Sequence, residues 1–212
     1  MPEFVCRILS VEVVTPNVKA YRVAKPAGYT FLPGQATEVA IHRPEWREET
    51  RPFTFTSLNS DPWLEFTIKS YRDHEGVTKF LDTLGPGDEL LLHDVWGTLT
   101  YRGPGLFLAG GAGITPFLAI FRDLAARGLL AGNRLVFANR TAADVIREAE
   151  LRTLLGRDFV SLVGDRRVDA ALLDVELRRP GFIYLCGPDP MMDAVSALVE
   201  AAGQEGRLVT ED

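Results

Sequence analysis

One run limits the fold of this chain more than any other: Gly105-Leu106-Phe107-Leu108-Ala109-Gly110, then Gly111-Ala112-Gly113-Ile114-Thr115-Pro116. It reads as an apolar strand, a glycine-rich turn and the start of a helix. A strand apolar at every position is buried on both faces, which is the situation of a parallel sheet covered by helices. The helix predicted over Pro116–Arg127 carries Phe117, Ile120, Phe121 and Leu124 at i, i+3, i+4 and i+7, with Thr115 as its N-cap and Gly128 as its stop. Glycines let a backbone approach a ligand closely, and a helix N-terminus offers free N–H groups to a pyrophosphate. The same run also suits a tight turn with no ligand, because Pro116 stands where the usual G-x-G-x-x-G has its third glycine.

Around this run the chain has two characters, changing near residue 103. Upstream, six short segments rich in Val, Ile, Thr and Phe alternate with turn residues such as Leu32-Pro33-Gly34 and Gly85-Pro86-Gly87-Asp88. They predict a small antiparallel β-barrel interrupted by one helix, Thr78–Leu84. Downstream, apolar strands at RLVFAN, DFVSLV and FIYLC alternate with helices, the last over Met191–Ala202. Thr141 and Asp144 resemble a capping box opening the helix after RLVFAN. The expected organisation is a barrel over residues 1–102, followed over 103–212 by an α/β domain with a doubly wound parallel sheet.

Composition removes several classes of function. Acidic residues outnumber basic ones 29 to 23, giving a formal charge of −6 and no general surface for nucleic acid. Two cysteines, Cys6 and Cys186, exclude a disulfide framework, a Cys-rich zinc site and a cysteine-held iron–sulfur cluster, and no metal site is expected. No apolar run approaches the ~20 residues of a membrane span, and the N-terminus does not read as a signal peptide. A soluble cytoplasmic protein is expected.

Two further motifs carry chemistry. In Arg51-Pro52-Phe53-Thr54-Phe55-Thr56-Ser57 an arginine, an aromatic ring and hydroxyls lie close together, suiting a cofactor with a phosphate and a flat ring. On pattern alone an edge strand with Arg51 in solvent is the better reading. Strand alternation puts Phe53 and Thr54 on opposite faces, so one cofactor touches both only where the strand bends or ends. In Tyr184-Leu185-Cys186-Gly187-Pro188-Asp189-Pro190-Met191, Cys186 closes an apolar strand at the edge where α/β sheets bind ligands. For a free cysteine the role of a small buried hydrophobe is usually the better reading. His42, His74 and His93 have no ligand-like spacing.

Taken in order, Arg51-x-Phe53-Thr54-x-x-Ser57, Gly110-Gly111-Ala112-Gly113-Ile114-Thr115-Pro116 and Cys186-Gly187-Pro188-x-x-Met191 resemble the ferredoxin–NADP⁺ reductase superfamily along essentially the whole chain. Phe137-Ala138-Asn139-Arg140-Thr141-x-x-Asp144 also resembles its NADH-cytochrome b5 reductase and flavodoxin reductase-like branches. The resemblance implies a flavin-binding barrel and a nicotinamide-nucleotide domain. It implies that Arg51 holds a flavin phosphate, that Phe53 packs on the isoalloxazine in place of the usual tyrosine, and that Thr54 replaces the serine facing flavin N5. Ser57 completes that motif. Gly76, Val77 and Thr78 match a second phosphate site, which favours FAD over FMN. Gly110, Gly111, Gly113 and Thr115 are implied to cradle the nucleotide pyrophosphate, and Cys186, Gly187, Pro188 and Met191 to flank the nicotinamide. In Val209-Thr210-Glu211-Asp212, Glu211 resembles the family's terminal glutamate, while the aromatic residue that often follows is missing. With Thr54 and Cys186, Glu211 makes up the expected catalytic group.

The implied activity is hydride transfer from NAD(P)H to bound FAD, then electron transfer to a separate carrier such as a ferredoxin, flavodoxin or cytochrome. NADH is expected over NADPH because Asp165 follows the strand Phe159–Val163 where the adenosine ribose is read; Arg166 and Arg167 argue the other way. Two other functions fit the same residues: a reductase of free flavin or another small molecule, and a flavin-carrying interaction module without turnover. Arg43, Arg47, Arg51 and Arg72 are the candidates for a basic patch that steers an acidic carrier, diluted by Glu45, Glu48 and Glu49.

Overall fold

A computed structural model describes residues 3–71 and 76–211 of the chain. Arg72, His74 and Asp212 lie outside the described residues. The N-terminal strands are β1 (Phe4–Thr15), β2 (Val18–Ala24), β3 (Ala36–Ile41), β4 (Arg51–Thr54), β5 (Trp63–Lys69) and β6 (Glu89–Trp96), with α1 (Val77–Leu81) between the last two. Their order in the sheet is β4-β3-β6-β1-β2-β5, antiparallel throughout. Phe55, one residue past β4, bridges Phe66 of β5 and so joins the two edge strands into a barrel. Phe31 stacks on Phe55 with centroids 4.1 Å apart, and Phe66 and Tyr29 close the same aromatic core. The helix α1 is shorter than the predicted Thr78–Leu84. It is tied to the barrel by the Tyr21 hydroxyl, which donates to the Leu81 carbonyl at 2.8 Å.

The C-terminal half is the doubly wound sheet expected. Its strands β7 (Gly105–Gly110), β8 (Arg134–Asn139), β9 (Phe159–Val163), β10 (Phe182–Cys186) and β11 (Leu208–Val209) run parallel in the order β11-β10-β7-β8-β9. Helices α2 (Thr115–Ala126) and α3 (Glu148–Leu155) cover one face, and α4 (Ala170–Glu176) and α5 (Asp189–Ala201) the other. The alternation of β7 explains the layers: Phe107 and Ala109 enter the α2–α3 core, while Leu106 and Leu108 enter the α4–α5 core. After β7 the chain winds outward through β8 and β9, then returns to place β10 on the other side of β7. The carboxyl ends of β7 and β10 therefore form the switch point where such sheets bind ligands.

Three local readings are corrected. Thr115 is not an N-cap but the first residue of α2, because the glycines before it form a 3₁₀ turn (Gly111–Ile114) running straight into the helix. The Thr115 hydroxyl donates to the Ala112 carbonyl at 3.0 Å. Thr141 and Asp144 do bond to each other, the Thr141 amide reaching Asp144 Oδ2 at 3.1 Å, but they close a single 3₁₀ turn. Val145 then turns extended, and α3 starts only at Glu148, after Arg147 takes a left-handed conformation. The stripe on α2 is also wider than predicted: Leu118 and Ala119 are buried with Phe117, Ile120, Phe121 and Leu124, since α2 is sandwiched between its own sheet and the barrel. Val18 and Leu99 of the barrel half join that core.

Candidate functional site

A cleft of about 180 Å³ opens where the two halves meet, lined by Phe53 and Thr54 from β4, Thr67 and Lys69 from β5, Thr78 from α1, and Ala112 and Thr115 from the glycine loop and α2. Phe53 and Thr54 share it because β4 ends at Thr54. Phe55 is pulled wholly inside the barrel by its bridge to Phe66, whereas Phe53 stays half-buried with a ring available to the cleft. Both residues thus adjoin the cleft at the point where β4 ends. Arg51, at the start of β4, is exposed: it donates to the Thr50 carbonyl at 2.6 Å and lies 3.5 Å from Glu49. Ser57 is buried, and its Oγ accepts the Glu65 amide at 2.9 Å in the barrel wall.

At the switch point the loops after β7 and β10 touch backbone to backbone. A Cβ on Gly113 would collide with the Cys186 carbonyl oxygen and lie 2.6 Å from the Gly187 nitrogen, and one on Gly110 would lie 2.9 Å from Pro188. Met191, in the first turn of α5, packs its sulfur over Gly110 and Gly187. Gly111 differs: its φ is +52° and a Cβ there would meet nothing within 4 Å. Gly76, before Val77 and Thr78, faces open space in the same way. At Gly111 and Gly76 the backbone therefore stands clear of the other described atoms, which is compatible with close approach by a phosphate-bearing ligand.

Cys186 and Glu211 come together at the end of β10. Burial pushes the Cys186 thiol up to about 12, and the charge of Glu211 adds to the effect. Burial also holds the Glu211 carboxyl above the usual carboxylate range. Its Oε1 reaches back to the barrel, 3.4 Å from where a Cβ of Gly97 would stand. Asp165 is exposed after β9, on the same carboxyl edge but two strands away from β7. Among the described residues no group of His, Cys, Asp and Glu could hold a metal ion, and no helix is long and apolar enough to cross a membrane.

Sequence reasoning missed Thr67, Lys69 and Tyr71, which line the cleft from one side. Their i, i+2, i+4 spacing at the end of β5 was the available signal. Of the four basic-patch candidates, Arg72 lies outside the described residues and the other three pair with carboxylates. Arg43 pairs with Asp88 at 2.9 Å, Arg47 pairs with Glu3, and Arg51 pairs with Glu49.

Residues 107–159 match the family model described as an oxidoreductase NAD-binding domain. The reductase component of propane 2-monooxygenase from Rhodococcus jostii (strain RHA1) is 31% identical over 93% of this chain and 60% of its own length. The NADH-cytochrome b5 reductase 1 of Pyricularia oryzae is 28% identical over 90% of this chain and 72% of its own. The ferredoxin NADP⁺ reductase from Neisseria gonorrhoeae, solved with bound FAD and NADP, superposes with a TM-score of 0.82 at 18% identity, covering 99% of this chain and 98% of that one. The chain is similar in sequence to reductases of this kind and shares the fold of the ferredoxin–NADP⁺ reductases. That fold has two parts, six antiparallel strands followed by a five-stranded parallel sheet. It spans 60–62% of the length of the three propane monooxygenase reductase components it matches.

Proposed function

We propose that this chain is an NAD(P)H-dependent flavoprotein reductase that takes a hydride from NADH onto FAD and hands electrons to a separate partner, with its flavin domain over residues 1–102 and its nucleotide domain over 103–212. The observation carrying this reading is that one cleft is lined from both halves: Phe53, Thr54 and Thr78 face Ala112 and Thr115, the loop and helix start that lead from the switch point. A bound flavin would supply the capacity to accept two electrons as hydride and release them onward.

The chain's own residues bind and orient. Arg51 holds one flavin phosphate, and the ledge at Gly76 with Thr78 the other, which favours FAD over FMN. Phe53 offers its ring face, and the Thr54 hydroxyl orients the ring edge. Gly111 and the start of α2 receive the nucleotide pyrophosphate, with Gly110 and Gly113 letting the two loops close together. Ser57 acts from the barrel wall, through the amide of Glu65. Cys186 keeps its proton and packs beside the nicotinamide with Gly187, Pro188 and Met191, while Glu211 shapes the same pocket. No general base is needed, because a hydride and not a proton crosses between the cofactors. Asp165 accepts hydrogen bonds from a free ribose 2′-hydroxyl and repels a 2′-phosphate, which favours NADH.

Relatives named as the reductase component of a monooxygenase, the electron transfer component of toluate 1,2-dioxygenase and a ferredoxin–NAD(P)⁺ reductase component of a dioxygenase system support an oxygenase or ferredoxin partner. The pairing of Arg43 and Arg47 with carboxylates favours a second reading, a small diffusible acceptor that needs no steering patch. Steady-state NADH oxidation with a ferredoxin, a flavodoxin and free FMN separates them. Turnover with a protein carrier supports the first reading, and turnover with FMN alone the second.

A further inference from the structure

A buried ion-pair network lies on the seam between the halves, and its side-chain pairs are used by none of the roles above. Arg122 of α2 donates through Nη1 to Glu65 Oε1 at 2.8 Å and to the Thr56 carbonyl. Its Nε and Nη2 hold both oxygens of Glu150 at 2.6 and 2.9 Å. Glu65, on β5, is 3% exposed; its second oxygen pairs with Arg22 at 3.1 Å, and the Thr56 hydroxyl bonds Oε1 at 3.0 Å. Burial pushes the Glu65 carboxyl up, but the hydrogen bond and charge of Arg122, together with the hydrogen bonds of Arg22 and Thr56, outweigh it and hold the group below the usual carboxylate range. On Arg122 burial opposes the charge, and the bonds to Glu150 and Glu65 outweigh it. A second bridge, Arg147 to both oxygens of Glu12 at 2.6 and 2.8 Å, crosses the same seam nearer solvent.

The place of Arg122 along α2 matters. Seven residues of α-helix make almost two turns, so Thr115 and Arg122 lie within about 20° of one face and about 10 Å apart along the axis. That face meets the barrel at both ends. Thr115 lines the cleft with Phe53 and Thr54, and Arg122 is fastened to Glu65 and to Thr56, two residues after Thr54. A helix fixed to the barrel two turns from its start cannot slide or tilt without moving the glycine loop relative to Phe53 and Thr54.

We propose that Arg122 is a positioning residue: by fastening α2 to Glu65 and Thr56 it sets the separation between the nicotinamide site and the flavin site. Arg122 touches neither cofactor, and both half-sites bind without it. The proposal rests on reading the cleft as a flavin–nicotinamide site. What Arg122 adds is the registry needed for hydride transfer, where a displacement of about 1 Å costs on the order of a hundred-fold in rate.

The test compares the wild type with Arg122→Met, the double variant Glu65→Gln/Arg122→Met, which leaves no unpaired buried carboxylate, and a control, Arg134→Met. Arg134 pairs with the equally buried Glu176 at 2.8 Å, at the opposite edge of the sheet. Two quantities are read. One is the limiting rate of flavin reduction at saturating NADH. The other, free of turnover, is the long-wavelength charge-transfer absorbance when NAD⁺ is titrated into dithionite-reduced protein. We expect both Arg122 variants to retain flavin, to reduce it on the order of ten- to a hundred-fold more slowly, and to lose the charge-transfer band at unchanged NAD⁺ affinity. The control should melt earlier yet keep rate and band. Wild-type rate and band in both Arg122 variants would overturn the proposal, as would loss of flavin from both, since the barrel's own grip should survive. A wild type whose flavin NADH does not reduce would overturn the functional reading, and this proposal with it.

Discussion

Gly113 and Cys186 meet with no room for a side chain between them: a Cβ on Gly113 would overlap the Cys186 carbonyl oxygen. Gly113 has an ordinary backbone conformation, so close approach and not dihedral freedom requires the glycine there. We predict that Gly113→Ala destabilises the protein by about 1–3 kcal/mol, as overpacking of a close-packed contact does. It should also weaken NADH binding while leaving flavin in place. Urea unfolding and a nucleotide titration check both parts, and unchanged values would count against the contact.

Arg51 and Glu49 form an exposed ion pair, a kind that contributes about 0–1 kcal/mol and is easily exchanged for a better partner. Arg51→Ala should weaken flavin retention by about 1.5–3 kcal/mol, the usual scale for a hydrogen bond to a charged group. Glu49→Gln should tighten it, by removing the competitor. Flavin dissociation constants measured by fluorescence on the reconstituted protein decide this. Equal affinities for wild type and Arg51→Ala would remove Arg51 from the site.

Cys186 packs as a neutral thiol. We expect Cys186→Ala to keep its flavin but to slow hydride transfer, as read by stopped-flow. An unchanged rate with a stability loss of about 1 kcal/mol would return the residue to the role of a small core hydrophobe.

Cys6 and Cys186 are both raised by burial from 9.0 to about 12, so each holds its proton more tightly in the folded state than in the unfolded one. Their contribution to stability is complete below pH 9 and is lost as pH climbs toward about 12. The urea midpoint should fall over that alkaline window, less steeply in Cys6→Ala. Neither thiol should react readily with iodoacetamide at pH 8, where the thiolate is the reactive form. Rapid alkylation of the folded protein would contradict the burial.

Asp165 and the arginines after it make opposite demands on the nucleotide. We predict a higher kcat/KM for NADH than for NADPH, and a shift of the ratio toward NADPH in Asp165→Thr. An NADPH preference in the wild type would reverse the assignment to Arg166 and Arg167.

Much of this architecture is written locally. The apolar run of β7, the stripe of α2 and the turn residues between barrel strands each follow from a few adjacent side chains, and so did the order of the three motifs. What was not legible depends on distant parts of the chain. The helix α4 has only seven residues, and its one local signal is Asp169, whose carboxylate caps the Leu172 amide at 2.9 Å. The two residues of β11 are too few to show a period. That Phe53 and Thr54 face one cleft follows from their meeting residues far along the chain, Thr67, Thr78, Ala112 and Thr115. The Arg122–Glu65 pair spans 57 residues; its only trace in the sequence is an arginine three and four places after Ala119 and Leu118, on the helix side that the barrel covers.

The central claim is that one cleft serves both cofactors, and anaerobic addition of NADH to the FAD-loaded protein tests it most directly. Loss of the oxidised flavin absorbance, with one NADH consumed for each flavin, is the predicted result. A protein that binds FAD and keeps its yellow colour with both NADH and NADPH would contradict it.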